Sequence, residues 1–284
     1  MKKIIVVLGQ TASGKSELAV KIAKEFGGEV VSADSRQIYK GMDIGTGKIT
    51  KRERQGIPHY LLDIISPNRK FTIVNYQKLA KEAINKILKK NKIPILCGGT
   101  GFYIQAVVDG IVIPRVPPDW KLRKKLEKKT AAELYGILKK LDPQRAKTIE
   151  KKNPRRLIRA IEIVKKTKQP IPAFKKSPLP YPVLMIGIKL PKKELQKRIK
   201  KRVEKMIKMG LEKEAKKLIK KYGWVPPLQT IGYQEWSSPN AKELIIQHTI
   251  QYSKRQMTWF KKDKRIRWIR NYKEAEKLTK SFLK

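Results

Sequence analysis

Gly9-Gln10-Thr11-Ala12-Ser13-Gly14-Lys15-Ser16 satisfies the pattern G-x-x-x-x-G-K-[ST]. Its glycines let successive backbone N–H groups turn inward around phosphate oxygens. The helix start that follows adds a favourable dipole, Lys15 neutralises charge, and the Ser16 hydroxyl is a ligand for Mg²⁺. Such a loop selects a di- or triphosphate without saying what becomes of it. A kinase built on this loop has a carboxylate after a later strand to organise Mg²⁺, but the apolar run at 93–97 ends in Gly98-Gly99-Thr100-Gly101. The acid comes early instead, as Asp34 in Asp34-Ser35-Arg36-Gln37-Ile38-Tyr39, just beyond Val30 and Val31. An Asp past a strand's carboxyl end lies at the crevice where such sheets bind ligands. Three roles are open to it: Mg²⁺ organiser, general base, or cap of the following turn.

Positioning these groups falls to short apolar runs that alternate with amphipathic stretches. The run at 4–8, the glycine-rich turn, and a helix with Leu18, Ile22 and Phe26 on one face lead into the run at 30–31. Tyr76, Leu79, Ala80, Ala83, Ile84, Ile87 and Leu88 recur at helical spacing, which predicts a helix over 73–90 feeding a buried strand at 93–97. Wholly apolar strands joined by helices imply a parallel sheet covered on both faces. Pro114, Pro117 and Pro118 then break the pattern, 119–169 is lysine-rich and helical, and a second proline-rich stretch at 170–182 closes it. A strand at 183–190, helices at 192–208, 211–221 and 240–261, and a strand at 266–269 follow. The expected architecture is α/β, a P-loop NTPase-like parallel sheet with helices on both faces over 1–116 and 181–284, with an all-helical module inserted at 117–180.

Lys and Arg number 68 against 24 Asp and Glu among 284 residues, a formal net charge of +44. Because 40% of the chain is nonetheless hydrophobic, a disordered polycation is excluded. The charge draws in polyanions: nucleic acid, diphosphates or anionic membrane surfaces. It is unevenly spread, with 20 basic and 9 acidic residues in 1–116 (net +11) and 48 and 15 in 117–284 (net +33). A lysine bias across a heat-adapted proteome would produce the same total. The single cysteine, Cys97, leaves no internal disulfide, and His59 and His248 make no metal-ligand cluster, so a cytoplasmic setting is expected. The apolar residues after Met1-Lys2-Lys3 fall short of a signal peptide's usual ~7–15. No run reaches the ~18 needed to cross a membrane, so no membrane partner is expected. A monomer is expected.

Five segments together resemble the tRNA dimethylallyltransferase (tRNA isopentenyltransferase) family. They are the loop at 9–16, the stretch Asp34 to Thr46, Gly98-Gly99-Thr100-Gly101-Phe102-Tyr103, Ile231-Gly232-Tyr233, and Lys254-Arg255-Gln256-Met257-Thr258-Trp259-Phe260. Spread in order over 9–260, they cover nearly the whole chain. The resemblance implies transfer of a dimethylallyl group from dimethylallyl diphosphate to N6 of adenosine 37, beside the anticodon of tRNA, giving N6-isopentenyladenosine. It implies that Gly9, Gln10, Thr11, Ala12, Ser13, Gly14, Lys15 and Ser16 hold the substrate's diphosphate, with Mg²⁺ on Ser16. Asp34 matches the family's general base, Arg202 an arginine facing the diphosphate across the pocket, and Thr11 a threonine that reaches the reacting centre. Contacts to the tRNA anticodon stem-loop are implied for Asp34, Ser35, Arg36, Gln37, Thr100, Arg123, the run Arg155-Arg156-Leu157-Ile158-Arg159, and the segment 229–234 with Gln229, Gly232 and Tyr233. The target adenine must turn out of its stack into a pocket to be reached.

Without the resemblance several of these residues have plainer readings. Arg202 is one charge on a crowded basic helix, Thr11 a loop spacer, and Arg155, Arg156 and Arg159 a helix face suited to solvent as well as to phosphate. Cations interleaved with Trp259, Phe260 and Trp268 suit RNA contact, but Trp259 and Phe260 are expected in the core. Cys97, His59 and His248 read as structural. Two departures from the family pattern are visible: Gln10 where proline is usual, and Gly47-Lys48-Ile49 where Ala-Lys-Pro is common. Both bear on loop rigidity and neither removes a phosphate ligand. A P-loop kinase of a small metabolite and a nucleic-acid-dependent NTPase are the alternative functions.

Overall fold

The computed structural model describes residues 2–112, 114, 116–171 and 176–284. Part of the second proline-rich stretch, 172–175, lies outside them. The strand β1 (Ile4–Gly9) is buried along its whole length, as a central parallel strand must be when helices cover both faces. Its side chains alternate between two cores. Ile4, Val6 and Leu8 join a cluster with Tyr76, Ile84 and Ile104, while Ile5 and Val7 join one with Leu18, Ile22 and Ala275. Each such side chain contributes about 1.5–3 kcal/mol on burial, so β1 anchors both layers.

From β1 the chain runs through the glycine-rich loop into α1 (Lys15–Phe26), β2 (Gly28–Ser32), the short α2 (Lys51–Arg54) and β3 (His59–Tyr60). Next come α3 (Ile73–Lys89), β4 (Ile93–Gly98) and α4 (Gly101–Val108). After the helices of the second unit follow β5 (Val183–Ile188), α9 (Lys192–Lys208), α10 (Leu211–Tyr222), α11 (Ala241–Phe260), β6 (Ile266–Ile269) and α12 (Tyr272–Leu283). The strands form one parallel sheet in the order β3-β2-β4-β1-β5-β6. The chain leaves β1 toward β2 on one side and later adds β5 on the other, which puts a topological switch point at the carboxyl end of β1. The crevice there is where the glycine-rich loop sits.

Two compact units divide the chain: 1–110 with 178–284, and 111–177. The second unit therefore begins at Ile111 and ends at Ser177 instead of at 117 and 180. The reason is an antiparallel bridge between Ile111 and Lys176 that closes its base. It consists of α5 (Trp120–Leu126), α6 (Ala131–Leu141), α7 (Pro143–Thr148) and α8 (Pro154–Thr167) around Leu134, Leu138, Leu157 and Ile161. Within it the fully buried Asp142 accepts the N–H groups of Arg145 (2.9 Å) and Ile171 (2.7 Å), tying the start of α7 to the segment after α8.

The strand expected over 183–190 stops at Ile188, one ladder bond short of Pro191, which caps α9: Lys189 still donates to the carbonyl of Ile269 on β6. Among the described residues no helix is long and apolar enough to cross a membrane.

Candidate active site

The glycine-rich loop carries left-handed backbone at Ala12 (φ 61°) and Gly14 (φ 92°), the alternation that turns amides to one side. Two hydrogen-bonded contacts with α11 fasten it. Gln10, buried, donates from Nε2 to the carbonyl of Ser253 at 2.9 Å. Gln256, also buried, accepts the Thr11 N–H at 2.8 Å and donates to the carbonyl of Gly99 at 2.8 Å, so it joins the loop to the end of β4. Lys15 reaches back to the carbonyl of Gln10 at 3.4 Å. Ser13 Oγ is buried and has no hydrogen-bond partner among the described residues, an orphan in a loop built to receive an anion.

Asp34 lies two residues past the end of β2 and stands two strands from the loop, with β4 between them. Its Oδ1 accepts the N–H groups of Arg36 (2.9 Å) and Gln37 (3.4 Å), so it does cap the turn it opens. Its Oδ2 has no protein partner among the described residues. Thr100, at the end of β4, accepts the N–H of Ser35 at 3.0 Å and so fixes this turn from the intervening strand.

A cavity of about 420 Å³ is lined by Thr11, Lys15 and Ser16 on one side, Asp34 to Gln37 on another, and Gly45 to Gly47, Arg202, Gln229 to Gly232, Gln234, Tyr252 and Arg255 beyond. Arg202 comes from α9 and donates to the carbonyl of Thr46 at 3.2 Å. Among the lining residues Asp34 is the only carboxylate, against Lys15, Arg36, Arg202 and Arg255. Neither Lys15 nor Arg202 has a carboxylate in ion-pair contact among the described residues. Burial lowers the pKa of the Lys15 amine, and the Arg202 charge lowers it further. Burial likewise lowers that of Arg202, partly countered by Asp34. Two desolvated cations facing one space are stabilised by a multiply charged anion between them. Burial pushes the Cys97 thiol up to about 12, which keeps it out of nucleophilic chemistry.

A family model described as IPP transferase matches residues 37–263. The chain belongs to the IPP transferase family. It is 40% identical to the tRNA dimethylallyltransferase of Halothermothrix orenii, over 99% of this chain and 93% of that one. To the protein of the same name from Trichormus variabilis it is 43% identical, over 95% and 94%. Among solved structures it is similar to the full-length tRNA isopentenylpyrophosphate transferase of Bacillus halodurans, with TM-score 0.74, 34% identity, and coverage of 100% and 96%. A eukaryotic dimethylallyltransferase acting on tRNA matches with TM-score 0.76 at 28% identity, over 92% of this chain and 70% of that one.

The arginines that the IPP transferase resemblance assigns to RNA divide in the second unit. Arg123 donates from Nε and Nη2 to the two oxygens of Glu162, both at 2.8 Å. Arg159 binds Glu162 as well and donates to the carbonyl of Val116 at 2.8 Å. Hydrogen bonds donated to Glu162 raise the pKa of Arg123. On the carboxylate side, burial favours the neutral acid, but the bonds from both arginines outweigh it and lower the Glu162 pKa. Arg123 and Arg159 thus brace the unit. Arg156 makes a surface pair with Glu150 at 3.0 Å, and Arg155 is exposed with no ion pair among the described residues. Leu157 and Ile158 require correction as RNA contacts: they are 0% and 6% exposed, on the inward face of α8. Tyr233 requires the same, being 0% exposed with its hydroxyl donated to Glu214 at 2.8 Å.

Trp259 departs from the expected core position: it is 36% exposed against the edge of Phe102, while Phe260 is buried. Adjacent helix residues point about 100° apart, so only one of the two faces the sheet. Sequence reasoning quoted Gln256 inside a motif without a role, and missed Glu214 and Glu235. Glu235 is 3% exposed; it accepts the Gly232 N–H at 2.9 Å and meets His248 Nδ1 at 2.8 Å. Glu235 lies two residues past the 231–233 segment, whereas Glu214 lies outside all five segments, and its bonds to the distant 43–45 backbone leave no spacing signal.

Proposed function

We propose that the protein transfers a dimethylallyl group from dimethylallyl diphosphate to N6 of adenosine 37 in tRNA, giving N6-isopentenyladenosine. The observation that carries this reading is that Lys15 and Arg202, with no carboxylate in ion-pair contact among the described residues, face one cavity in which Asp34 is the only lining acid. The names of the relatives support the same reaction. A kinase or NTPase needs an acid at the strand beside the loop, and the carboxyl end of β4 supplies Thr100 instead.

In the reaction the bond between the dimethylallyl carbon and the diphosphate oxygen breaks, and a bond from that carbon to N6 forms. The loop amides, Lys15 and Arg202 stabilise the charge gathering on the departing diphosphate. Asp34 takes the proton released from N6. Its capped Oδ1 fixes the carboxyl group, and its Oδ2, without a partner among the described residues, supports this role. Thr11, held through its amide by Gln256, lines the same space.

Mg²⁺ fits the donor set. Ser16 offers a hydroxyl in the cavity, and no group of three or more His, Cys, Asp or Glu side chains among the described residues forms a dedicated cage. An ion that keeps waters and binds through substrate phosphates needs no more than this. When bound it would supply additional charge neutralisation on the diphosphate. RNA contacts are proposed for the cavity rim at Ser35, Arg36, Gln37, Gln229 and Gly232 and for Arg155 and Arg156 of the helical unit, with the anticodon stem-loop as partner and the cytoplasm as setting. Incubation with labelled dimethylallyl diphosphate and unmodified tRNA is expected to put label into RNA. ATP turnover without RNA, and no label in RNA, would overturn the proposal.

A further inference from the structure

Glu214 stands in the first turn of α10 and does not line the cavity. Its Oε2 accepts the N–H groups of Asp43 (3.1 Å) and Ile44 (2.8 Å), and its Oε1 accepts the N–H of Gly45 (3.0 Å) and the hydroxyl of Tyr233 (2.8 Å). Successive amides converging on one anion form a backbone nest. Here the protein fills the nest with its own carboxylate, and no cation pairs with Glu214 among the described residues. Burial, then the Glu214 charge, raises the pKa of the Tyr233 phenol, so it remains a donor.

The two segments gathered by this carboxylate are both cavity walls. Tyr233 approaches Gly45 so closely that a Cβ there would stand 2.5 Å from its ring. Beyond Gly45, the carbonyl of Thr46 accepts from Arg202 at 3.2 Å, and a Cβ on Gly47 would lie 2.0 Å from the same guanidinium nitrogen. With no carboxylate in ion-pair contact among the described residues, Arg202 takes its direction from this loop.

We propose that Glu214 is a positioning residue for dimethylallyl transfer: by closing the 43–45 nest it fixes the Thr46–Gly47 wall, and through it the direction in which Arg202 meets the diphosphate. The proposal rests on the functional reading above. Glu214→Gln replaces one acceptor oxygen with an amide that confronts a backbone N–H, so the loop loses the anion that gathers it.

The test compares Glu214→Gln, Glu214→Asp and the control Glu212→Gln, an exposed acid on the same helix that pairs with Lys216. For Glu214→Gln, kcat/KM for dimethylallyl diphosphate is expected to fall by about tenfold or more, with partial recovery in Glu214→Asp and no change in Glu212→Gln. In an Arg202→Ala background the further loss from Glu214→Gln should be small, because the route through Arg202 is already gone. Fully additive losses, or unchanged kcat/KM in Glu214→Gln, would overturn the proposal. Calorimetric titration of the full chain with inorganic diphosphate should show the same ranking of affinities. That titration needs no transfer, so a wild-type protein that fails to prenylate tRNA would sink the functional reading while the Glu214 role is still read.

Discussion

Asp34 serves the turn with one oxygen and leaves the other to the cavity. Asp34→Asn, which keeps an oxygen to cap the turn, is expected to lower turnover by ~10²–10⁴-fold, the range for loss of a general base, while tRNA affinity measured by filter binding stays nearly unchanged. Unaltered turnover would remove it from the chemistry. Lys15 gives a pH signature. Its amine is held below the ordinary 10.5 by burial and by Arg202, and a bound diphosphate favours the charged form. Binding therefore takes up a proton once pH exceeds the depressed value. Affinity for inorganic diphosphate should fall as pH climbs through that value, and Lys15→Ala should bind weakly with no such alkaline limb in a calorimetric pH series.

At the scale of elements, α11 latches the loop. The Gln10 side chain, which departs from the family's proline, donates to Ser253, so a hydrogen bond across the fold supplies restraint that a ring would have supplied locally. The sheet edge has its own latch in Glu29 of β2, 1% exposed and bonded to Tyr60 of β3 and to Lys90 and Lys92 after α3. Burial alone would raise its pKa, but the bonds from Tyr60, Lys92 and Lys90 hold it at about 2 against an ordinary 4.5. Between those values the unfolded chain binds more protons than the folded one. The stability contribution is thus full above about pH 4.5 and lost as pH falls toward 2. Urea unfolding between pH 5 and 3 should show a reduced pH dependence in Glu29→Gln, and an unchanged slope would contradict the assignment. The helices at 73–90, 192–208 and 211–221 were legible because their apolar faces repeat at helical spacing; β3, with two residues, offers too little pattern to detect.

Across the whole molecule, the +33 carried by 117–284 does not act as one surface. In the helical unit, Arg123 and Arg159 are committed to Glu162, whereas Arg155 is exposed. Charge reversal at Arg155 and Arg156 should reduce the slope of log affinity for tRNA against log salt by about one for each phosphate that is no longer neutralised. Arg123→Ala should instead cost the unit about 1.5–3 kcal/mol in urea melting, the worth of a charged hydrogen-bonded pair. Sequence alone determined the loop, the placement of Asp34 after its strand and the alternation of strand and helix, because each is written in contiguous residues. The strand order that puts β4 between loop and Asp34, the latch of Gln256, the nest filled by Glu214 and the division of the arginines depended on tertiary structure. The strand order, the latch and the nest join residues far apart in the chain largely through bonds to backbone groups, which every residue carries and no sequence pattern marks, and the arginines divide because one buried acid, Glu162, takes two of them.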